Sequence, residues 1–143
     1  MNARAKVGAA ILAACIALFS TGCSSTTETV DQALRESSSA VASARLALEL
    51  YARDSATRSL ADTAVADALT ELDGAQSDVS EVEATGAAES GDKQRALDGI
   101  RSGVDAVDAA REELSNGSAS GLADAVDALE AAQTTLDAAG GAR

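Results

Sequence analysis

The large apolar side chains of this sequence recur at helical spacing from Val30 to Leu136, in four segments. Within each segment they lie three, four or seven residues apart, so one narrow face of a helix would be apolar and the others polar. Each segment therefore predicts an amphipathic helix. The four stripes are Val30, Leu34, Val41, Leu48 and Tyr51, with Ala44 filling a gap; Val65, Leu69, Leu72, Val79 and Val82; Leu97, Ile100, Val104, Val107 and Leu114; and Leu122, Val126, Leu129 and Leu136.

The composition agrees with helix throughout. Alanine, the best helix former, makes up about a quarter of the chain. Proline, the strongest helix breaker, is absent. We expect helices over about 30–54, 60–84, 92–115 and 119–138. Short connections between them predict an all-α, antiparallel four-helix bundle over residues 30–139.

The breaks between the helices differ in clarity. Asn116-Gly117 is typical of a helix C-terminus, and Ser118 or Ser120 can cap the next helix. The stretch GAAESGD, residues 86–92, separates the second and third segments with two glycines and no large apolar residue.

Between the first and second segments there is no glycine or proline. Two interpretations stand: a turn near 54–59, with Ser59 and Asp62 as a variant capping box, or one long helix over 29–84, because the two stripes share a heptad register. The turn is preferred, because Ser55, Arg58 and Asp62 would occupy three successive positions of the buried stripe and interrupt the apolar face of a long helix. In the third segment Gly99 and Gly103 lie one turn apart. They either let two backbones approach closely or are merely tolerated, and we favour the second interpretation.

The N-terminus has a different character. Arg4 and Lys6 precede an uncharged run from Val7 to Phe19, which is the length of a signal-peptide core. The run is too short for a membrane-spanning helix, which needs about 20 apolar residues. It ends in Ser20-Thr21-Gly22-Cys23 rather than in an ordinary small-x-small cleavage site.

This ending resembles the lipobox of bacterial lipoproteins, in which the cysteine receives a thioether-linked diacylglycerol and becomes the first residue after cleavage. Thr21 and Gly22 match the small positions of the lipobox and Cys23 matches the acylated residue, whereas Ser20 stands where the family usually has leucine. The resemblance implies a signal peptide over 1–22, cleavage between Gly22 and Cys23, and an acylated cysteine with a polar tether over 23–29. An ordinary secreted protein and an uncleaved anchor are the alternatives.

Processing at Cys23 would remove Cys15 and two of the 11 basic residues, but none of the 23 acidic ones. The remaining chain would have one cysteine and form no internal disulfide. Its acidity argues against binding nucleic acid, which requires clustered Lys and Arg. It also argues against electrostatic adhesion to anionic lipid. Attachment to the membrane would depend on the lipid at Cys23.

Few catalytic schemes fit these residues. The chain has no histidine, which removes Ser-His-Asp and Cys-His arrangements and His-bearing metal sites. Neither GxGxxG nor GxxxxGK[ST] occurs. Lys93 is expected to be a solvated charge, and Tyr51 to pack at one end of the core with its hydroxyl in water.

Carboxylates three residues apart can share a cation or act as an acid–base pair, and the chain has several such groups. They lie outside the apolar stripes, so solvated faces are expected rather than metal sites: Asp105 with Asp108, Asp124 with Asp127, and Asp78 with Glu81 and Glu83. No cofactor or metal is expected.

In style the whole chain resembles the small, Ala-rich helical lipoproteins of GC-rich Gram-positive bacteria, a resemblance that implies an envelope location and assigns no activity. We expect a non-enzymatic lipoprotein held on the outer side of the cytoplasmic membrane by the lipid on Cys23. Its bundle would serve as an interaction or structural module, with a protein partner or a homodimer. The alternative is a tethered binding protein for a small envelope ligand held between helices.

Overall fold

The computed structural model describes residues 26–141, which form four helices with no strand among them. Helix α1 spans Thr26–Ala52, α2 Arg58–Glu81, α3 Ala87–Asn116 and α4 Ala119–Gly141. Each helix packs on the next, and α4 packs on α1, which closes an antiparallel up-down-up-down bundle. The prediction of an all-α four-helix bundle is confirmed.

The core consists of the predicted stripes together with alanines between them. Every large residue of the four stripes is buried or packs, partly buried, against the core. The fully buried large side chains come from all four helices: Val30, Val41, Leu48, Val65, Leu72, Val79, Ile100, Val107, Leu114, Leu129 and Leu136. One continuous core therefore holds the bundle together.

The bundle is flattened along one diagonal. Helices α1 and α3 contact each other across the core, whereas the Cα atoms of α2 and α4 stay more than 8 Å apart. Gly103 lies at this crossing: a Cβ there would sit 3.1 Å from Leu72 Cδ2 and 3.3 Å from Val41 Cγ2. A side chain at Gly103 would therefore require the core side chains of Leu72 or Val41 to shift by a few tenths of an ångström. At Gly99 the nearest atom would be 3.5 Å away, which is ordinary contact.

A turn separates α1 from α2, as preferred from the sequence. Asp54 adopts the left-handed conformation, with φ 55°. Its N–H donates to the Tyr51 carbonyl (3.0 Å), and the Ser55 N–H donates to the Leu50 carbonyl (2.8 Å). These two bonds make a Schellman C-terminus, in which aspartate occupies the position that usually holds glycine.

The cap of α2 differs from the expected one. Thr57, not Ser59, is the N-cap, and its hydroxyl accepts a 3.3 Å hydrogen bond from the Leu60 N–H. Asp62 instead lies 3.6 Å from Arg58 as an exposed ion pair. The helix starts earlier than predicted because the better-placed hydroxyl is two residues upstream.

The tether assigned to residues 23–29 is shorter than expected, because Thr26 to Thr29 already belong to α1. No glycine or proline interrupts these residues, and Glu28 lies in the first turn, where a carboxylate interacts favourably with the helix dipole. Residues 1–25, with Gly22 and Cys23, lie outside the described residues.

Most of the GAAESGD stretch is also helical, since α3 begins at Ala87 rather than near 92. The Glu89 carboxylate accepts hydrogen bonds from the Thr85 N–H (2.8 Å) and hydroxyl (2.9 Å), which fixes the start of the helix. The other end of α3 is as predicted. Gly117 ends it with φ 69°, and Ser118 accepts a 3.1 Å bond from the Gly121 N–H at the start of α4.

Candidate functional site

The topology gives the bundle two unlike ends. The start of α1, the connection over residues 82–86 and the end of α4 lie together at what we call the N-terminal end. The two turns, at residues 53–57 and 117–118, lie at the opposite end, about 40 Å away along α1. Thr26 is three residues after Cys23, so a fully extended link between them would span about 10 Å.

A cleft between α1 and α4 opens near the N-terminal end. Its volume is about 400 Å³, and its lining combines charged and polar side chains with two leucines: Asp31, Leu34, Arg35, Ser38, Leu136, Asp137 and Gly140. The Ser38 hydroxyl donates a 2.8 Å hydrogen bond to Asp137 Oδ1 across it. The cleft offers hydrogen-bond donors and acceptors beside the apolar side chains of Leu34 and Leu136, which suits a small amphipathic molecule.

Arg45 joins the same two helices two turns further along α1. Its guanidinium lies 3.7 Å from Glu130 on α4 and 3.5 Å from Glu49 on α1. Of the two pairs, Arg45–Glu130 links α1 to α4, and both are partly exposed, so each contributes little to stability.

A second groove runs between α1 and α2 on the outer surface. It encloses about 320 Å³ and is lined by Glu36, Glu71, Gly74, Ala75 and Asp78. No basic side chain lines it. Of its three acids only Asp78 was predicted from the sequence as part of a carboxylate group, although Glu71 lies one heptad before Asp78 and so shares its stripe of α2.

Lys93 is not the solvated charge that we expected. Its ammonium donates to the backbone carbonyl oxygens of Ser80 (2.7 Å) and Val82 (2.9 Å) at the end of α2. A cation at a helix C-terminus satisfies carbonyls that lack partners in the helix and interacts favourably with its dipole. Lys93 therefore binds the start of α3 to the end of α2.

The carboxylate pairs named from the sequence lie on exposed surfaces, each on its own helix: Asp105 with Asp108, Asp124 with Asp127, and Asp78 with Glu81. Glu83 is exposed in the connection after α2. Among residues 26–141 no cluster of three or more carboxylates or thiols has the geometry to hold a metal ion. The structure therefore brings none of these pairs together with another.

The carboxyl group of Glu89 has a lowered pKa. The hydrogen bonds from the backbone and side chain of Thr85 hold the pKa of Glu89 below its ordinary value of 4.5, because both favour the charged carboxylate. Glu89 thus holds Thr85, the residue before the N-cap Gly86, against the first turn of α3, and its pKa shift has a structural cause.

Tyr51 is partly buried against the core at the opposite end of the bundle, in the last turn of α1. This is the packing position that the sequence indicated.

None of the four helices, over the residues that the structure describes, is long and apolar enough to cross a bilayer. Comparisons of the chain with protein-family models, with curated proteins and with solved structures find no match.

Proposed function

We propose that this protein is a non-enzymatic lipoprotein of the cell envelope, anchored through a lipid on Cys23, whose helical bundle is an interaction module on the outer side of the cytoplasmic membrane. The observation that carries the proposal is the distance along the chain between the lipobox-like motif and the fold. Helix α1 begins at Thr26, so a lipid on Cys23 would hold the bundle within about 10 Å of its anchor.

Such an anchor also gives the bundle a direction. The N-terminal end would face the bilayer, and the helices would extend outward for about 40 Å to the two turns. Processing at Cys23 would leave 23 acidic and nine basic residues, so the surface of the bundle would not adhere to anionic lipid. The outer faces of the helices would then remain available to a protein partner.

The proposal is tested by crosslinking in native membranes followed by affinity purification of the protein. Wild type is compared with Cys23→Ala and with Cys15→Ala, which removes the other cysteine of the chain. We expect a protein partner at near-equal amount with wild type and Cys15→Ala, and its loss with Cys23→Ala. Recovery of the protein alone from wild-type membranes would contradict the interaction role.

A second candidate is a binding protein for a small envelope ligand, and the α1–α4 cleft favours it. A ligand that binds the folded state raises the melting temperature according to its concentration relative to Kd. Gly140 lines the cleft and a Cβ there meets nothing within 4 Å, so Gly140→Leu would add bulk at the cleft wall. Gly91→Leu, equally unhindered but outside the cleft, is its control. A stabilising ligand whose effect is lost only in Gly140→Leu would support this candidate, and one that stabilises both variants equally would exclude the cleft.

A further inference from the structure

The cleft between α1 and α4 carries charges of both signs beside an apolar surface. Arg35 lines it from α1 and Asp137 from α4. Asp31 adds a second carboxylate, and Leu34 and Leu136 supply the apolar surface. Because two acids stand beside one arginine, a simple anion would be repelled from the cleft. A ligand that carries an ammonium together with its anionic group meets a partner for each charge.

Arg35 is the cation of the cleft, and its charge is not used by the fold. Within residues 26–141, Arg35 and Arg111 are the two arginines that form no ion pair with another described residue. Arg35 is exposed, so an anionic group can reach its guanidinium from solvent. A guanidinium binds carboxylate or phosphate oxygens through two parallel hydrogen bonds. Arg35 can therefore hold the anionic group of a ligand.

Asp137 can accept the ammonium from the opposite wall. Its Oδ1 accepts a 2.8 Å hydrogen bond from the Ser38 hydroxyl, which holds the carboxylate at the cleft. No hydrogen bond from residues 26–141 is made to its Oδ2. An ammonium has three N–H donors, and a hydrogen bond between two charged groups is stronger than one between neutral groups.

The size and the place of the cleft indicate which zwitterion it meets. Its volume of about 400 Å³ lies within the range of about 300–1,000 Å³ that is usual for small-molecule sites. Arg35 is nine residues after Thr26, which is about 14 Å along α1. The proposed anchor on Cys23 would hold this end of the bundle nearest the bilayer. Phospholipid headgroups that join a phosphate to an amine are the zwitterions of that surface.

We propose that the α1–α4 cleft binds a phosphoethanolamine group, the zwitterionic headgroup of phosphatidylethanolamine. The phosphate lies against the Arg35 guanidinium, the ammonium donates to Asp137, and the adjoining carbon atoms lie against Leu34 and Leu136. The same group occurs in a membrane lipid and in water-soluble glycerophosphoethanolamine. The inference rests on the second candidate function proposed above and names the ligand class of its cleft.

The test has one arm for each source of the group. The full chain is held in discs of phosphatidylcholine, whose quaternary ammonium has no N–H to donate. In the first arm glycerophosphoethanolamine is added from solution, and in the second phosphatidylethanolamine replaces part of the disc lipid. Glycerophosphoglycerol and phosphatidylglycerol, which carry the phosphate without the ammonium, are the comparison ligands. We expect amide chemical shifts at the cleft with the ethanolamine compounds only. The arm that responds identifies the source.

Matched variants test the two charged contacts. Arg35→Gln is compared with Arg111→Gln on α3, which also removes an exposed arginine without an ion pair. Asp137→Asn is compared with Asp127→Asn, exposed on the same helix, and an asparagine can still accept from Ser38. We expect each cleft variant to raise the ligand concentration for half-maximal response about tenfold or more, and each control to change it less than about threefold.

Four outcomes would overturn the proposal: no response in either arm, an equal response to the glycerol compounds, shifts centred away from the cleft, and equal effects of Arg35→Gln and Arg111→Gln. Failure of the cleft as a ligand site is read separately. A different molecule whose stabilising effect is lost only in Gly140→Leu would keep the cleft as a binding site and exclude this headgroup. The interaction role is tested independently by crosslinking in native membranes.

Discussion

Lys93 on α3 holds its ammonium nitrogen 2.9 Å from the carbonyl oxygen of Val82, the residue that follows α2. The connection over residues 82–86 is thereby fastened to the bundle from both sides, since Glu89 in the first turn of α3 accepts a hydrogen bond from the Thr85 N–H. This connection lies at the N-terminal end, which the proposed anchor would place nearest the membrane. The contribution of these contacts to the stability of the fold can be tested independently of the proposed function.

Lys93→Met is expected to destabilise the fold by about 1–2 kcal/mol, because the last carbonyls of α2 lose a charged donor that is partly shielded from water. Chemical denaturation measures the free energy of unfolding. Arg101→Met is the control: this guanidinium is exposed and 3.7 Å from Asp98, so the expected change is within about 0.5 kcal/mol. Equal effects of the two substitutions would show that the Lys93 contacts contribute nothing.

The two glycines Gly74 and Gly103 should respond differently to added side-chain volume. Gly74→Ala is expected to stabilise by about 0.8–1 kcal/mol, because the Cβ meets nothing within 4 Å and alanine is the better helix former. Gly103→Ala should gain less, since its Cβ would press on Leu72 and Val41. Gly103→Leu should destabilise by about 1–3 kcal/mol through overpacking. Thermal melts of the three variants test this order, and a stabilised Gly103→Leu would refute the close approach of α1 and α3.

Asp54 stores backbone strain at the end of α1. Asp54→Gly is expected to stabilise by about 1 kcal/mol, because glycine adopts positive φ without a Cβ clash. Asp54→Val should destabilise by a similar amount or more, since a β-branched residue is strongly disfavoured there. The same Asp→Gly change at Asp67, inside α2, should instead destabilise slightly. The free energies of unfolding of the three variants test this prediction. A stabilising Asp67→Gly would show that the effect at Asp54 does not come from its positive φ.

The hydrogen bonds from Thr85 to Glu89 predict a pH-dependent contribution to stability. Its pKa in the folded protein is lower than the ordinary 4.5. The contribution is therefore fully present above about 4.5 and lost as the pH falls through the lower folded value. We expect Glu89→Gln to melt below wild type at neutral pH and the difference to shrink in acid. A difference that stayed constant from neutral to acidic pH would contradict the role of the ionised carboxylate.

The bundle itself could be predicted from the sequence because the signal is repeated. Four long stripes, from Val30 to Leu136, each specify one buried face, and no local feature competes with them. The end of α3 was equally clear, since Gly117 followed by a capping serine is a strong local pattern. Helices with long apolar stripes, and helix ends marked by glycine, can therefore be predicted from the sequence.

The helix ends that no glycine marks could not be placed from the sequence. Asp54 takes a left-handed conformation that the sequence marks only weakly. The hydrogen bonds of Thr57 to Leu60 and of Thr85 to Glu89 depend on the geometry of the preceding turn. Lys93 could not be assigned because its partners are backbone carbonyls, which every residue has. Tertiary packing, not local preference, decides these positions.

The cleft and the groove could not be predicted from the sequence for a similar reason. Ser38 and Asp137 are 99 residues apart and meet only because α4 packs on α1. The α1–α2 groove likewise joins Glu36 to Glu71 across two helices whose relative rotation the stripes alone do not fix.

The N-terminus of the protein isolated from its native membrane tests the anchor most directly. Intact-mass and peptide mass spectrometry would compare wild type with Cys23→Ala, with Cys15→Ala as the control. We predict that the mature chain starts at Cys23, carries a diacylglyceryl addition on that residue, and is unaffected by Cys15→Ala. A mature chain that starts elsewhere, or an unmodified Cys23 in the membrane-bound protein, would contradict the lipoprotein assignment.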